Sequence, residues 1–157
     1  MRLSLVIPVL NEERHLGQLL SDIRRQSLRP EEVIVVDAGS NDATVRIAKH
    51  SCTAVFHGEP PVARGRNLGG YAATGDLIFF LDADTRLPEH FFEDFVGEVE
   101  RRRLDTACPR YRPYGSSPTP SETCCQKASR ERSPPEPGTV SRSGASCYGR
   151  VPASTHP

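Results

Sequence analysis

The stretch EVIVVDAGSNDAT, residues 32–44, joins an unbroken apolar run to a polar turn. Its Val and Ile residues do not alternate with polar ones, which predicts a strand over residues 32–37 that is buried on both faces of a sheet. The Ser, Asn and Asp residues of the turn can cap a helix that continues to about Lys49. A buried strand followed directly by a capped helix is the repeating unit of parallel α/β proteins.

The same pattern recurs on both sides of this stretch. Apolar runs of strand length predict further strands at residues 3–10, 52–57 and 76–84. Helices are predicted after Asn11 as a cap, over residues 62–75, and from Pro88 in a first turn. The first of these helices has one stripe of side chains, formed by Leu16, Leu19, Leu20, Ile23 and Ser27. Strands that alternate with helices predict a mainly parallel sheet covered by helices on both faces.

The chain of 157 residues suits one domain and has no net charge, but its two parts differ in composition. Residues 1–108 contain 13 Lys and Arg against 17 Asp and Glu, whereas residues 109–157 contain 7 against 3. From Pro109 onward the only aliphatic residues larger than alanine are Val140 and Val151. A Pro/Ser/Arg-rich segment of this kind buries too little apolar area to offset its ordering entropy, so we expect it to be disordered.

Several classes of protein are disfavoured by the sequence. The arginines of the carboxyl-terminal segment are interleaved with prolines and not with aromatic residues, so we expect no nucleic-acid partner. Cys124 and Cys125 have no second pair and no histidine at zinc spacing. No signal peptide and no run of transmembrane length is evident, so a cytoplasmic location is expected.

Polar residues follow three of the predicted strands at the point where each strand ends. These residues occupy positions 8–12, 37–42 and 82–84. In open parallel sheets, ligands bind beyond the carboxyl ends of the strands. The sequence therefore predicts a ligand site formed by these three segments.

Asp82 and Asp84 follow the most apolar strand as a D-x-D motif. If the chain is extended there, residues i and i+2 point the same way and the two carboxylates face one point. Carboxylate oxygens suit Mg²⁺ or Mn²⁺, which usually complete their shells with water and substrate phosphates. The alternative is structural: Asp82 caps the turn and Asp84 is only solvated.

Other candidates also have two interpretations. Asp37 ends a buried strand, where it either accepts a hydrogen bond from a ligand or caps the following turn. Glu12 is either an acid favoured by a helix dipole or a ligand contact. Arg64 and Arg66 either meet phosphate oxygens or are solvated. Gly65, Gly69 and Gly70 do not form a dinucleotide-binding fingerprint, and no histidine is assigned a role.

Four motifs together resemble the amino-terminal half of family 2 glycosyltransferases. They are LSLVIPVLNEE, EVIVVDAGSNDAT, ARGRNLGGYAATGDLIFFLDADT and the LP that follows, in order and in spacing over roughly residues 2–105. The versions NEE, VVDAGS and LDADTRLP are especially similar to a small bacterial group that often reads VVDGGS and HADT. The resemblance implies a GT-A fold, which is Rossmann-like, and a nucleotide-diphosphate sugar donor.

The resemblance also implies roles for individual residues. Pro8 and Glu12 match a motif that lines the nucleotide pocket, to which Asn11 also belongs. Asp37 matches an acid that holds the base or ribose, within a motif that includes Gly39 and Ser40. Many members have a second acid where this chain has Ala38.

For the diphosphate, the resemblance implies two further groups of residues. Arg64 and Asn67 lie in the segment that approaches the diphosphate. Asp84 matches the direct ligand of Mg²⁺ or Mn²⁺, while Asp82 lies nearer the ribose or donor sugar and is the second candidate metal ligand.

In this family an acceptor hydroxyl displaces the nucleoside diphosphate with inversion, and the general base comes from the second half of the domain. We expect residues 1–108 to form the nucleotide-sugar-binding half. After about Thr119 the sequence becomes Pro/Ser/Arg/Cys-rich, as a frameshift or a shifted gene model would make it. The expectation is therefore donor binding without transfer.

The acceptor is open at this point: a glycan, a lipid or a small molecule, with peripheral association at the inner face of a membrane as one arrangement. One alternative is an inactive fragment that at most binds nucleoside diphosphate. Another is a D-x-D phosphatase of the haloacid dehalogenase type. That phosphatase motif requires Thr or Val two residues after its second Asp, where this chain has Arg86.

Overall fold

The computed structural model of the chain describes residues 1–109 and 148–150. The strands are β1 (Leu3–Val9), β2 (Glu32–Asp37), β3 (Ala54–His57), β4 (Leu77–Phe80), β5 (Thr106–Ala107) and β6 (Tyr148–Arg150). The helices are α1 (Leu16–Arg24), α2 (Thr44–Lys49), α3 (Val62–Ala72) and α4 (Phe91–Arg102).

The six strands form one sheet in the order β3-β2-β1-β4-β6-β5. The first four are parallel to one another, whereas β6 runs antiparallel to both β4 and β5. The predicted mainly parallel α/β fold is therefore confirmed. Residues 148–150, which lie within the segment predicted to be disordered, pair as a strand; residues 110–147 and 151–157 of that segment lie outside the described residues.

Apolar side chains cover both faces of the sheet because β1 and β2 carry them at successive positions. On one face, Leu5 and Ile7 of β1 pack in a core with α1, α2 and α4. Phe79 of β4 lies at its centre and meets Phe92 and Phe95 of α4 edge to face. The opposite face has a smaller core built from Val6, Ile34, Val36 and Ile78.

Helix α3 lies close against this second face. A Cβ atom added to Gly69 would overlap Cγ1 of Val6 and lie 3.2 Å from Cγ2 of Val36. Gly65, one turn earlier, also faces the sheet, where an added Cβ atom would be in ordinary contact with Val36 and Pro8. Gly69 is thus the residue that lets the backbone of α3 approach β1 and β2 this closely.

Several predicted boundaries are wrong. Strand β4 ends at Phe80 and does not continue to residue 84. Helix α1 begins at Leu16 with His15 at its N-cap, while Asn11 is left-handed (φ 56°) and caps no helix. Gln26, and not Ser27, is the buried residue at the end of the α1 stripe. Pro88 precedes α4 by three residues and accepts a hydrogen bond from the Phe91 amide.

Candidate functional site

The carboxyl ends of β1, β2 and β4 meet at one end of the sheet. The chain leaves β1 for β2 and β3 on one side and then crosses to β4 on the other, so the strand order reverses at β1. Val9 pairs with Asp37, and Phe80 pairs with Val6, which brings Asp82 level with Pro8. Segments 8–12, 37–42 and 82–84 therefore surround the switch point, where this class of sheet binds ligands.

The loops after β1 and β2 are joined by reciprocal hydrogen bonds. The Asn11 amide donates to Oγ of Ser40 (2.9 Å), and the Asn41 amide donates to Oδ1 of Asn11 (2.9 Å). Asn is among the residues that best tolerate the left-handed conformation found at position 11. Two residues named as candidates from the sequence, Asn11 and Ser40, are thus in direct contact.

A second set of bonds between these loops was not anticipated from the sequence. The Glu12 amide donates to the buried hydroxyl of Thr44 (2.8 Å), and the Ala43 amide donates to Oε2 of Glu13 (3.0 Å). Asp42 accepts from the Glu13 amide and from Thr44. The hydrogen bond from the Thr44 hydroxyl outweighs the effect of burial and holds the pKa of Asp42 below its ordinary value.

The Glu12 carboxylate faces His15, with 3.0 Å between Oε2 and Nδ1.

Asp37 is buried at the end of β2, with 2% of its surface exposed. Its carboxylate accepts hydrogen bonds from the backbone amides of Gly39 and Ser40, each at 3.2 Å. Gly39 has a φ of +97°, which lets the backbone turn back toward this carboxylate. His57, for which no role is predicted from the sequence, lies at the end of β3 with Nδ1 3.7 Å from Oδ2 of Asp37.

The D-x-D motif lies in a turn beyond β4 and not in an extended segment. The Thr85 amide donates to the carbonyl of Asp82 (3.1 Å). Oδ1 of Asp82 accepts from Nη2 of Arg66 on α3 (2.6 Å). The Asp84 side chain is exposed, and within the described part of the chain it has no ion pair or hydrogen bond. The argument that an extended backbone aims both carboxylates at one point is therefore wrong.

The two arginines of α3 have different partners. Arg66 is half-buried against Asp82, whereas Arg64 is exposed and faces the exposed Glu59 across 3.4 Å. Asn67 is exposed on the same helix. The structure thus brings Arg66 to the D-x-D motif through the close approach of α3 to the sheet.

The donor set of this motif fits a hard divalent cation that is shared with a ligand. Within the residues that the structure describes, no group of three or more His, Cys, Asp or Glu is placed to hold a metal ion. Mg²⁺ commonly uses one or two carboxylates and takes its other ligands from water and substrate phosphates. An exposed Asp84 beside Asp82 suits that mode of binding.

A shallow depression of about 430 Å³ lies elsewhere, between α1 and α2. Its lining consists of Gly17, Leu20, Arg24, Arg46, Ile47, His50 and Ser51. None of the candidate residues contributes to it. Of the helices described, none has the length and apolar character needed to cross a bilayer.

The sheet order and the helices on both faces place the chain among the doubly wound α/β proteins, which bind their ligands at the switch point. The chain belongs to a particular family of that type: the family model described as "Glycosyl transferase family 2" matches residues 4–139. The match includes residues 109–139, which the sequence prediction assigns to the carboxyl-terminal segment. The family match agrees with the resemblance to family 2 glycosyltransferases and disfavours the alternative of a D-x-D phosphatase.

Individual relatives agree with the family. The undecaprenyl-phosphate 4-deoxy-4-formamido-L-arabinose transferase of Pseudomonas fluorescens is 33% identical over 129 residues, a match that covers 69% of this chain and 38% of the relative. The glycosyltransferase GlyG of Streptococcus pneumoniae is 27% identical over 122 residues, 73% of this chain and 40% of the relative. The chain therefore spans two fifths or less of the length of these relatives.

Solved structures share the fold. TarS residues 1–349 of S. aureus superpose with a TM-score of 0.66 at 23% identity, over 76% of this chain and 38% of that one. The glucosyl-3-phosphoglycerate synthase of Mycobacterium tuberculosis, in complex with Mn²⁺, uridine diphosphate and glucosyl-3-phosphoglycerate, gives a TM-score of 0.58 at 26% identity, over 71% of this chain and 44% of that one. The expected fold of family 2 glycosyltransferases is confirmed.

Proposed function

We propose that the carboxyl end of the sheet binds a nucleotide-diphosphate sugar, the donor of a glycosyltransferase that transfers the sugar to an acceptor hydroxyl with inversion. One observation carries the proposal: acidic side chains lie on both sides of β1 at the switch point, with Asp37 after β2 and Asp82 and Asp84 after β4. This separation suits a ligand with a nucleoside at one end and a diphosphate at the other.

Asp37 is proposed to hold the nucleoside. A carboxylate offers about four lone-pair positions, and the amides of Gly39 and Ser40 occupy only part of them. The remaining positions can accept a hydrogen bond from a ribose hydroxyl or a base N–H. Pro8, Asn11 and Glu12 form the neighbouring wall, since the loop after β1 is bonded to the loop that carries Ser40.

The diphosphate is proposed to lie at the D-x-D motif and the amino-terminal part of α3. Arg66 already faces this motif, and Arg64 and Asn67 are exposed on the same helix. Asp84 would hold Mg²⁺ or Mn²⁺, with Asp82 as second ligand or as a contact to the ribose or donor sugar. When bound, the ion neutralises negative charge that grows on the departing diphosphate. The mycobacterial synthase binds both Mn²⁺ and uridine diphosphate, which supports this part of the proposal.

Transfer needs a carboxylate that accepts the proton of the acceptor hydroxyl. The acidic residues at the switch point are assigned to the donor, so we propose donor binding without transfer for this chain. The acceptor stays open between a glycan, a lipid and a small molecule. A lipid acceptor, as in the name of the Pseudomonas fluorescens relative, would place the protein at the cytoplasmic face of a membrane.

Calorimetric titration with nucleoside diphosphates, with and without Mn²⁺, tests the proposal. We expect one nucleoside diphosphate to bind about tenfold or more tightly with Mn²⁺, because a coordinated ion adds ligand contacts to the phosphates. Asp84→Ala is expected to abolish that gain. Asp105→Ala is the matched control, since Asp105 is also exposed but lies between α4 and β5.

Two results would contradict the proposal. One is the absence of binding by every nucleoside diphosphate in the presence of Mn²⁺. The other is a Mn²⁺-dependent gain that Asp84→Ala leaves intact. Release of free sugar or a glycosylated product from a nucleotide sugar would contradict the absence of transfer.

A further inference from the structure

Two polar side chains are buried beneath the segment that carries the D-x-D motif. Asp22 of α1 and Gln26, four residues later, expose 2% and 4% of their surfaces. Burial of a carboxylate or an amide is costly unless its polar atoms are bonded. The partners of both residues therefore show what the burial achieves.

Asp22 binds the chain directly after the D-x-D turn. Its Oδ2 accepts from Nε of Arg86 (2.6 Å) and from the Leu87 amide (3.4 Å), and its Oδ1 accepts from Nη2 of Arg86 (3.3 Å). Arg25 adds a further contact to Oδ1 (2.5 Å). Burial raises the pKa of Asp22, but the hydrogen bonds from Arg86, Leu87, Arg25 and Gln18 together hold it below its ordinary value of 3.8. Asp22 is therefore ionised at neutral pH.

Gln26 binds the next part of the same segment. Its Nε2 donates to the carbonyl of Pro88 (2.6 Å), and its Oε1 accepts from the Phe92 amide in the first turn of α4 (3.2 Å). The Ser27 amide also donates to the carbonyl of Glu89 (3.1 Å). Both ends of the Gln26 amide thus bond to backbone atoms of residues 88–92. The contacts of Asp22 and Gln26 with residues 86–92 are together called the clamp.

These contacts fix one side of the D-x-D turn. On the other side the turn is held directly after β4, where the Leu81 amide donates to the carbonyl of Val6 (3.0 Å). Between them, the Asp84 side chain has no partner within the described residues, so the backbone position of Asp84 is what limits where its carboxylate can reach. Among the described residues, the first side chain after Asp84 that forms a hydrogen bond is that of Arg86, two residues later.

We propose that Asp22 and Gln26 are positioning residues, which hold residues 86–92 and thereby aim Asp84 at the metal and diphosphate. The inference rests on the proposed function, because it assigns a purpose to the direction of Asp84. Neither residue touches the ligand in this account. Their effect on metal-dependent binding should therefore exceed what a loss of stability alone produces.

The test compares Asp22→Asn and Gln26→Leu with Val99→Ala in the full chain. Val99 is buried in α4 and has none of the contacts of the clamp, so its truncation lowers stability by a core mechanism. Two quantities are measured at a temperature where all variants are folded. One is the ratio of uridine diphosphate affinities with and without Mn²⁺; the other is amide hydrogen exchange at residues 84–88 without ligand.

We expect Asp22→Asn and Gln26→Leu to reduce the Mn²⁺-dependent ratio about tenfold, as loss of an outer-shell partner commonly does, and to accelerate exchange at residues 84–88. Val99→Ala should leave both quantities unchanged while lowering the unfolding temperature. If Asp22→Asn fails to fold, Arg86→Gln breaks the same contact from the exposed side and decides the result.

Unchanged exchange and an unchanged ratio in the folded clamp variants would overturn the inference while leaving the proposed function intact. A wild-type chain whose binding of nucleoside diphosphates does not depend on Mn²⁺ would instead contradict the proposed function, and with it the role assigned to Asp22 and Gln26. The two failures are distinguishable because the first appears only in the variants.

Discussion

Buried carboxylates at two positions are stabilised in different ways. Asp37 is bonded to the backbone amides of Gly39 and Ser40, so its charge is compensated by neutral donors. Asp22 is bonded to two guanidinium groups, those of Arg25 and Arg86. The Asp37 carboxylate therefore has acceptor positions beyond those used by its two backbone donors, whereas the Asp22 carboxylate is bonded to arginine side chains of the fold.

At the scale of single residues, one prediction concerns the two arginines of α3. Arg66 lies 2.6 Å from Asp82, whereas Arg64 lies 3.4 Å from the exposed Glu59. Replacement of Arg66 by Gln leaves Asp82 without this cation and makes the site repel a diphosphate. We expect Arg66→Gln to weaken binding of uridine diphosphate about tenfold, in line with the loss of a charge-assisted hydrogen bond.

Arg64→Gln removes a positive charge two residues earlier on the same helix. It is therefore the matched control when the affinity for uridine diphosphate is measured by calorimetric titration. Its expected effect is smaller than that of Arg66→Gln, since exposed charges are screened by solvent. Equal losses in the two variants, or a larger loss for Arg64→Gln, would show that Arg66 has no special place at the motif.

The sequence predicts Asp37, Asp82 and Asp84 as site residues because Asp37 and Asp82 directly follow apolar runs and Asp84 completes the D-x-D motif. It does not distinguish Arg64 from Arg66, because the difference depends on how α3 is rotated against β1 and β2. The sequence also does not predict a role for Asp22 or Gln26. The signal that could have indicated their burial is that both polar residues lie at helical spacing from Leu19 and Ile23, on the face expected to be buried.

At the scale of elements, the position of α3 depends on a backbone contact with the sheet. Gly69 has no room for a side chain, because a Cβ atom there would overlap the fully buried Val6. The same contact carries Arg66 toward Asp82. Packing of this helix and geometry of the candidate site are therefore coupled.

We expect Gly69→Ala to lower the free energy of unfolding by about 1–3 kcal/mol, the usual cost of overpacking a close contact. Gly97→Ala in α4 is the matched control, since nothing lies within 4 Å of its added Cβ atom. That control should raise stability by up to about 1 kcal/mol through helix propensity. Urea unfolding of both variants measures the difference, and a Gly69→Ala protein as stable as Gly97→Ala would show that α3 does not need this close approach.

Sequence patterns predict β2 with the bounds that the structure has, because a run of Val and Ile is a local signal. The start of α1 is missed because Asn11, which has the composition of a helix cap, bonds instead to Ser40 and Asn41 in the next loop. Strand β4 is predicted too long because Leu81 and Ala83 are buried although they lie beyond its end. In each case a tertiary contact overrides a local preference.

At the scale of the molecule, the strand order determines where a ligand can bind. Placing β1 between β2 and β4 separates the acid of β2 from the D-x-D motif, with the loop after β1 between them. The fold of family 2 glycosyltransferases is predictable from the sequence because four motifs occur in the order that this topology requires. The nucleotide, sugar and acceptor are not predictable in this way, because their choice depends on contacts outside these motifs.

The most direct test of the central claim is paramagnetic broadening of amide resonances in the uniformly ¹⁵N-labelled chain, with uridine diphosphate bound and Mn²⁺ added in small steps. We expect the amides of residues 82–86 to broaden first and those of residues 38–41 next, whereas amides lining the depression between α1 and α2, such as those of Arg46 and His50, stay sharp. Broadening that begins at Arg46 and His50, or that spares residues 82–86, would contradict the assignment of the nucleotide-diphosphate site to the carboxyl end of the sheet.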